Sequence, residues 1–145
     1  MEKRTPVWKT GCFYQVTPSE ESPQGELYFS REKLSLLCPQ LKALISGDLV
    51  ITVSPGWQAL NLYAEPRWDI LRRDLAALPT DSPEARRIQR RMLGNAMALN
   101  TEEAVVIPNT LVTYAGLATA FDSPLWMIVF GDDNAELWPE HELQR

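Results

Sequence analysis

The side chains best placed to do chemistry are four arginines, Arg86, Arg87, Arg90 and Arg91. They form two i, i+4 pairs, which on a helix occupy adjacent lanes of one face. Guanidinium groups in that arrangement can contact successive phosphates. The same spacing also suits a solvated face, or one paired with the acids of the C-terminal half. Residues 67–91 hold seven arginines and four acids, whereas residues 92–145 hold one arginine and eight acids, within a net charge of -5. An acidic C-terminal half repels a nucleic-acid backbone, so the compact positive field lies in the middle of the chain.

Other chemical candidates are sparse. The one histidine, His141, leaves little material for a His-based active site. Cys12 and Cys38 are too few for a disulfide framework and lack metal-type spacing. Cys38, beside Pro39 and with no base nearby, reads as a core thiol. Asp132-Asp133-Asn134 lacks the spacing and distal Glu of a calcium loop and reads as a hairpin turn. With no nucleophile–base pair, Gly-rich phosphate loop or metal cluster, the sequence points to a protein that is not an enzyme and carries neither metal nor cofactor. Trp68, Trp126 and Trp138 suit core packing, while Trp8 and Trp57 fall in less regular segments and suit an interface. The chain has 145 residues, 45% of them hydrophobic, enough for one domain or two small, joined halves. It has neither an apolar run of membrane-spanning length nor a signal-peptide pattern after Met1, so a reduced, cytoplasmic protein is the expectation.

The elements that must position these residues follow from pattern. Gly11 to Val16 reads as a strand, and residues 17–25, rich in turn formers and acids, as an exposed loop. Leu34 to Cys38 is a short apolar run, and Pro39 to Ile45 a short helix. Leu49 to Val53 and Ala59 to Tyr63 read as a hairpin about Ser54-Pro55-Gly56. A helix starts at Pro66, with Trp68, Leu71, Leu75 and Leu78 at helical spacing. Ser82-Pro83 caps a second helix reaching about Leu93, with Ala85, Ile88 and Met92 opposite the arginines. Ala96 to Asn100 and Val105 to Ile107 read as strands, and Asn109 as the cap of a short helix stopping at Gly116. Leu125 to Phe130 and Ala135 to Trp138 form a last hairpin, and Pro139 to Leu143 a final helical turn.

The second half repeats the first. Leu62-Tyr63 and Trp68 align with Leu137-Trp138 and Leu143, and Leu37-Cys38-Pro39 aligns with Val106-Ile107-Pro108. Each half alone has too small a core to be comfortable; two halves sharing one sheet system solve that problem.

Over residues 34–143 the chain resembles the MraZ family of AbrB-like regulators. The resemblance rests on Arg86 to Met97, like that family's linker; on Val106 to Leu111 and Tyr114 to Leu117, like the following strand and helix; on Glu136-Leu137-Trp138, like its closing strand; and on Trp68 to Pro79. It implies an α+β fold, with two β-hairpin–helix repeats forming a double-psi, swapped-hairpin type of barrel with connecting helices. The implied division is a divergent segment over 1–25, a first repeat over 26–80, a basic linker helix over 81–94 and a second repeat over 95–145. It also implies a cytoplasmic bacterial transcription regulator that self-associates and grips repeated DNA boxes through one loop per repeat, of pattern Asp-x-x-Gly-Arg. There Gly permits the tight turn and Arg reaches phosphate or a guanine edge. The sequence departs from this pattern. Asn100-Thr101-Glu102-Glu103-Ala104 has lost both Gly and Arg, and Phe29-Ser30-Arg31-Glu32-Lys33, the closest match in the first repeat, has basic residues but no Gly. The expectation is therefore a MraZ-like regulator with degenerate DNA loops. Duplex DNA would be held weakly through Arg31, Lys33, Arg86, Arg87, Arg90 and Arg91. The alternative is a protein-interaction module that co-assembles with, or antagonises, a true family member or another protein.

Overall fold

A computed structural model of the chain describes residues 11–99, 102, 104–117 and 124–143. The strands are β1 (Cys12–Val16), β2 (Glu20–Glu21), β3 (Leu27–Ser30), β4 (Leu49–Val53), β5 (Leu60–Ala64), β6 (Met97–Leu99), β7 (Ala104–Ile107), β8 (Leu125–Val129) and β9 (Asn134–Pro139). The helices are α1 (Arg31–Ser35), α2 (Pro39–Ile45), α3 (Glu65–Ala76), α4 (Pro83–Gly94), α5 (Asn109–Tyr114) and α6 (Glu140–Leu143).

Antiparallel pairing organises these strands into a larger sheet, ordered β1-β8-β9-β5-β4-β6, and a smaller one, ordered β2-β3-β7. The order of the larger sheet is the same from either edge once β1 is matched with β6, β8 with β4 and β9 with β5. The early strand β1 pairs with β8, and β6 turns back to pair with β4. At the centre β5 meets β9, with Asn61 opposite Glu136 and Leu62 opposite Ala135. The result is an α+β fold of antiparallel sheets, and the described strands do not close into a barrel. Instead β1 and β6 stand at the open ends of the larger sheet. The two sheets stack, because Leu27, Phe29, Val105 and Ile107 of the smaller face Ile51, Leu62, Met127 and Leu137 of the larger in one buried cluster. Alternation along each strand puts these side chains on one face.

The other face of the larger sheet is covered by helices. Trp68 and Leu75 of α3 and Met92 of α4 pack on Val50 and Tyr63, which is why every residue of β4 is buried. Ser82 caps α4 by accepting from the Ala85 amide, with Pro83 in the first turn. Gln89 of α4 donates to the carbonyls of Leu75 (2.6 Å) and Leu78 (3.2 Å), satisfying groups that the end of α3 leaves open. Thr52 Oγ1 does the same for Met92 at the end of α4, at 2.6 Å. Beside them Trp138 packs edge-on against Trp57, with centroids 5.1 Å apart. Among the described residues no helix is long and apolar enough to cross a membrane.

Three details differ from the sequence reading. The loop over 17–25 contains β2, and the strand after it is Leu27–Ser30. The alignment of Leu37-Cys38-Pro39 with Val106-Ile107-Pro108 does not match like elements: Leu34 lies in α1, and Cys38 caps α2, its sulfur accepting from the Leu41 amide at 3.3 Å. Cys38-Pro39 looks like Ile107-Pro108 because an apolar residue before proline can end a strand or open a helix. Leu27 and Phe29 are the buried counterparts of Val105 and Ile107. Asn109 is not a cap; it is the first residue of α5, and Pro108 stands before it. Trp8, Asn100, Thr101 and Glu103 lie outside the described residues.

The centre of the helix-covered face carries a polar pair. Asn61 is 7% exposed, and its Oδ1 has no hydrogen-bond partner among the described residues, directly opposite Glu136. Burial raises the Glu136 carboxyl above its ordinary value of 4.5, opposed by a hydrogen bond from Trp138 Nε1 at 2.8 Å. Between the unfolded and the raised folded pKa the native state holds more protons than the unfolded one. Stability therefore falls as pH rises through that window, and the loss is complete above the folded pKa. Glu136→Gln removes the buried charge and offers an amide toward Asn61. Calorimetry across pH should find the variant melting about 2–4 °C higher near neutrality, with the gain fading as pH falls through the raised folded pKa and gone below the ordinary value of 4.5.

Candidate nucleic-acid interface

The turn between β2 and β3 is built by Ser22. Its carbonyl accepts from the Gly25 amide at 2.9 Å, its hydroxyl accepts from the Glu26 amide at 3.1 Å, and its own amide donates to the Glu26 carbonyl at 2.9 Å. Gly25 closes this turn at φ +83°, a conformation that disfavours any side chain. Glu26 follows at once. Its Oε1 accepts from the hydroxyls of Ser22 (3.3 Å) and Tyr28 (3.4 Å), and its charge is the main cause raising the Tyr28 phenol. A glycine turn followed by one residue and then a strand is the layout that the resemblance implies for Asp-x-x-Gly-Arg, and residues 22–26 have that layout. Glu26 is the residue that follows the glycine there. The signal was present in Gly25 followed by alternating Leu27 and Phe29. In the second half the matching place, just before Val105, is held by Ala104.

Arg31 and Lys33 lie on α1, beyond the strand. Arg31 Nη1 donates to the carbonyl of Glu102 at 3.2 Å. Lys33 is exposed, and its amide donates to the capping Ser30 hydroxyl at 3.3 Å. The four arginines of α4 are all exposed. Among the described residues none of them forms an ion pair, and Arg91 donates to the Pro55 carbonyl at 3.1 Å. Arg72 and Arg73 of α3 are exposed as well. The two basic groups do not join. Leu34 anchors α1 in the cluster between the sheets, whereas Ile88 and Met92 anchor α4 on the opposite face of the larger sheet. A single rigid surface therefore cannot present Arg31 and Lys33 together with the α4 arginines. Among the described residues no group of three or more His, Cys, Asp or Glu could hold a metal ion.

No protein-family model matches the chain. Curated relatives do. The transcriptional regulator MraZ of Marinobacter nauticus is 35% identical over 113 residues, which cover 76% of this chain and 67% of that protein. The protein of the same name from Alkalilimnicola ehrlichii is 39% identical over 80 residues, 54% of this chain and 53% of its own length. That of Coxiella burnetii is 33% identical over 94 residues, 63% of this chain and 59% of its own length.

The turn geometry makes Gly25 irreplaceable by a small side chain. A Cβ there would run into the amide of Asn109, which donates to the Gln24 carbonyl at 2.8 Å. Gly25→Ala should destabilise by about 1–3 kcal/mol, the sum of a left-handed backbone penalty and one lost hydrogen bond. In urea titrations the cost should shrink in an Asn109→Ala background, where the collision is gone; a cost unchanged there would mean the two residues do not touch.

Proposed function

The chain belongs to the MraZ family, and from that membership we infer a bacterial transcription regulator whose turns have lost the residues that read DNA. The observation that carries this reading is Glu26, a carboxylate at the position where the family pattern has the arginine, on an otherwise intact glycine turn. A carboxylate near phosphate adds repulsion to the loss of a contact. What remains for DNA is the exposed stripe Arg86, Arg87, Arg90 and Arg91, with Lys33 on the other side of the sheet as a lesser contact. Such cations supply affinity without sequence choice.

The matched order of strands supports a swapped-hairpin arrangement of two repeats, 26–80 and 95–145, joined by the basic helix over 81–94. Ile70, 51% exposed on α3, supports self-association through the helices of 66–93, since relatives of this kind bury apolar surface between protomers. We place the protein in the cytoplasm, at the nucleoid where DNA is held. The acidic turn favours one second reading, a module that co-assembles with or antagonises a true family member.

Titration against box-repeat and scrambled duplexes at several salt concentrations tests the first reading. The expected affinity at physiological salt is no tighter than about 10⁻⁴–10⁻⁶ M, equal for both duplexes. It should be lost in the Arg86→Ala/Arg87→Ala/Arg90→Ala/Arg91→Ala variant. A preference for box repeats that survives in that variant would restore the turns as DNA readers.

A further inference from the structure

Two long-range hydrogen bonds are made at matched places in the two halves of the chain. Asn109, the first residue of α5, donates from Nδ2 to the carbonyl of Gln24 at 2.8 Å. Arg31, the first residue of α1, donates from Nη1 to the carbonyl of Glu102 at 3.2 Å. The acceptors are equivalent: Gln24 lies three residues before Leu27, and Glu102 three before Val105. So are the donors: Arg31 lies two residues after Phe29, and Asn109 two after Ile107. The pairing of β3 with β7 explains the match. In an antiparallel pair, the residue leaving one strand sits beside the residues entering the other. Leu27 is opposite Ile107, and Ser30 is opposite Ala104.

We infer that Arg31 and Asn109 are positioning residues, each holding the turn that belongs to the opposite half of the chain. The two clamps differ in reach, and their surroundings differ accordingly. Asn109 is short, so the turn must come close to it, and only Gly25 leaves the space. Arg31 is long and half-buried, and it reaches the Glu102 carbonyl at 3.2 Å. Both use a donor on a backbone carbonyl, so each clamp works whatever side chain its turn carries. That separates the placement of a turn from the chemistry at its tip: Glu26 can stand in the arginine's place without loosening the turn. It also gives Arg31 a structural role that needs its donor groups and its length rather than its charge. The inference does not depend on what the turns contact.

Hydrogen exchange followed by mass spectrometry on the full chain tests this. Asn109→Asp keeps the shape and removes the donor; it should raise exchange over 22–26 about fivefold, the equivalent of one net hydrogen bond, and leave 102–105 unchanged. Arg31→Met keeps the length and removes the donor; it should raise exchange over 102–105 by a similar factor and leave 22–26 unchanged. Arg31→Lys, which restores a donor of similar reach, should return 102–105 toward the parent rate. Exchange that rises in the substituted residue's own half, in both turns alike, or in neither would overturn the assignment.

Discussion

Neither half of this chain can complete its own sheet, and the rest of the molecule depends on that. β1 finds its ladder on β8 and β6 finds its ladder on β4, while β5 and β9 meet back to back at the centre. Backbone groups left unpaired in a buried setting are costly, so each half supplies the other's missing donors and acceptors. The pairing of β3 with β7 follows the same logic one layer away. A core of Leu and Ile from both halves then fills the gap between layers, and no division of the chain leaves either piece with a finished interior.

The helices break this symmetry on the outer face. One side of it lies under α3 and α4, a long cover stitched down by Gln89 and Thr52. The other lies under the single turn of α6 and the indoles of Trp57 and Trp138. Where the two covers meet, the sheet presents Asn61, Tyr63 and Glu136 rather than aliphatic side chains; Asn61 donates to the Tyr63 hydroxyl at 3.1 Å. The asymmetry also fixes where positive charge can go. α4 has its apolar residues turned to the sheet, so its arginines face solvent, on the far side from α1.

Elements with strong local chemistry were readable from sequence. The Leu49–Val53 and Leu60–Ala64 hairpin, the Pro83 helix with its Ser82 cap, and the strand carrying Leu137 and Trp138 all stand where alternation and capping rules put them. The first-half turn carried a signal in Gly25, Leu27 and Phe29, but a stronger local one competed with it. Leu27–Ser30 is only four residues long and ends in a capping serine, whereas Cys38-Pro39 imitates the proline that follows Ile107. That imitation drew the family pattern onto Arg31 and away from Gly25 and Glu26. The contacts of Asn109 and Arg31 were beyond reach for a different reason. They depend on the register of a long-range strand pair, and nothing local to either residue encodes it. The α4 arginines were found as a stripe, but the sheet standing between them and α1 is a property of layers rather than of spacing.

The exchange of first strands also sets an order of events during synthesis. Cys12 leaves the ribosome early, yet its ladder partner is Val129, which follows on the order of ten seconds later at ordinary translation rates. β4, β5 and β6 can pair as they emerge, with α3 and α4 folding over them, and this leaves β1 unclaimed and one edge of β5 bare. A bare edge accepts any strand of matching pattern, including the β8–β9 hairpin of a sister chain translated from the same message. Closure on itself and closure on a sibling use identical bonds, so the outcome is set by which hairpin is nearer: the chain's own, tethered in cis, or a neighbour's on a crowded polysome.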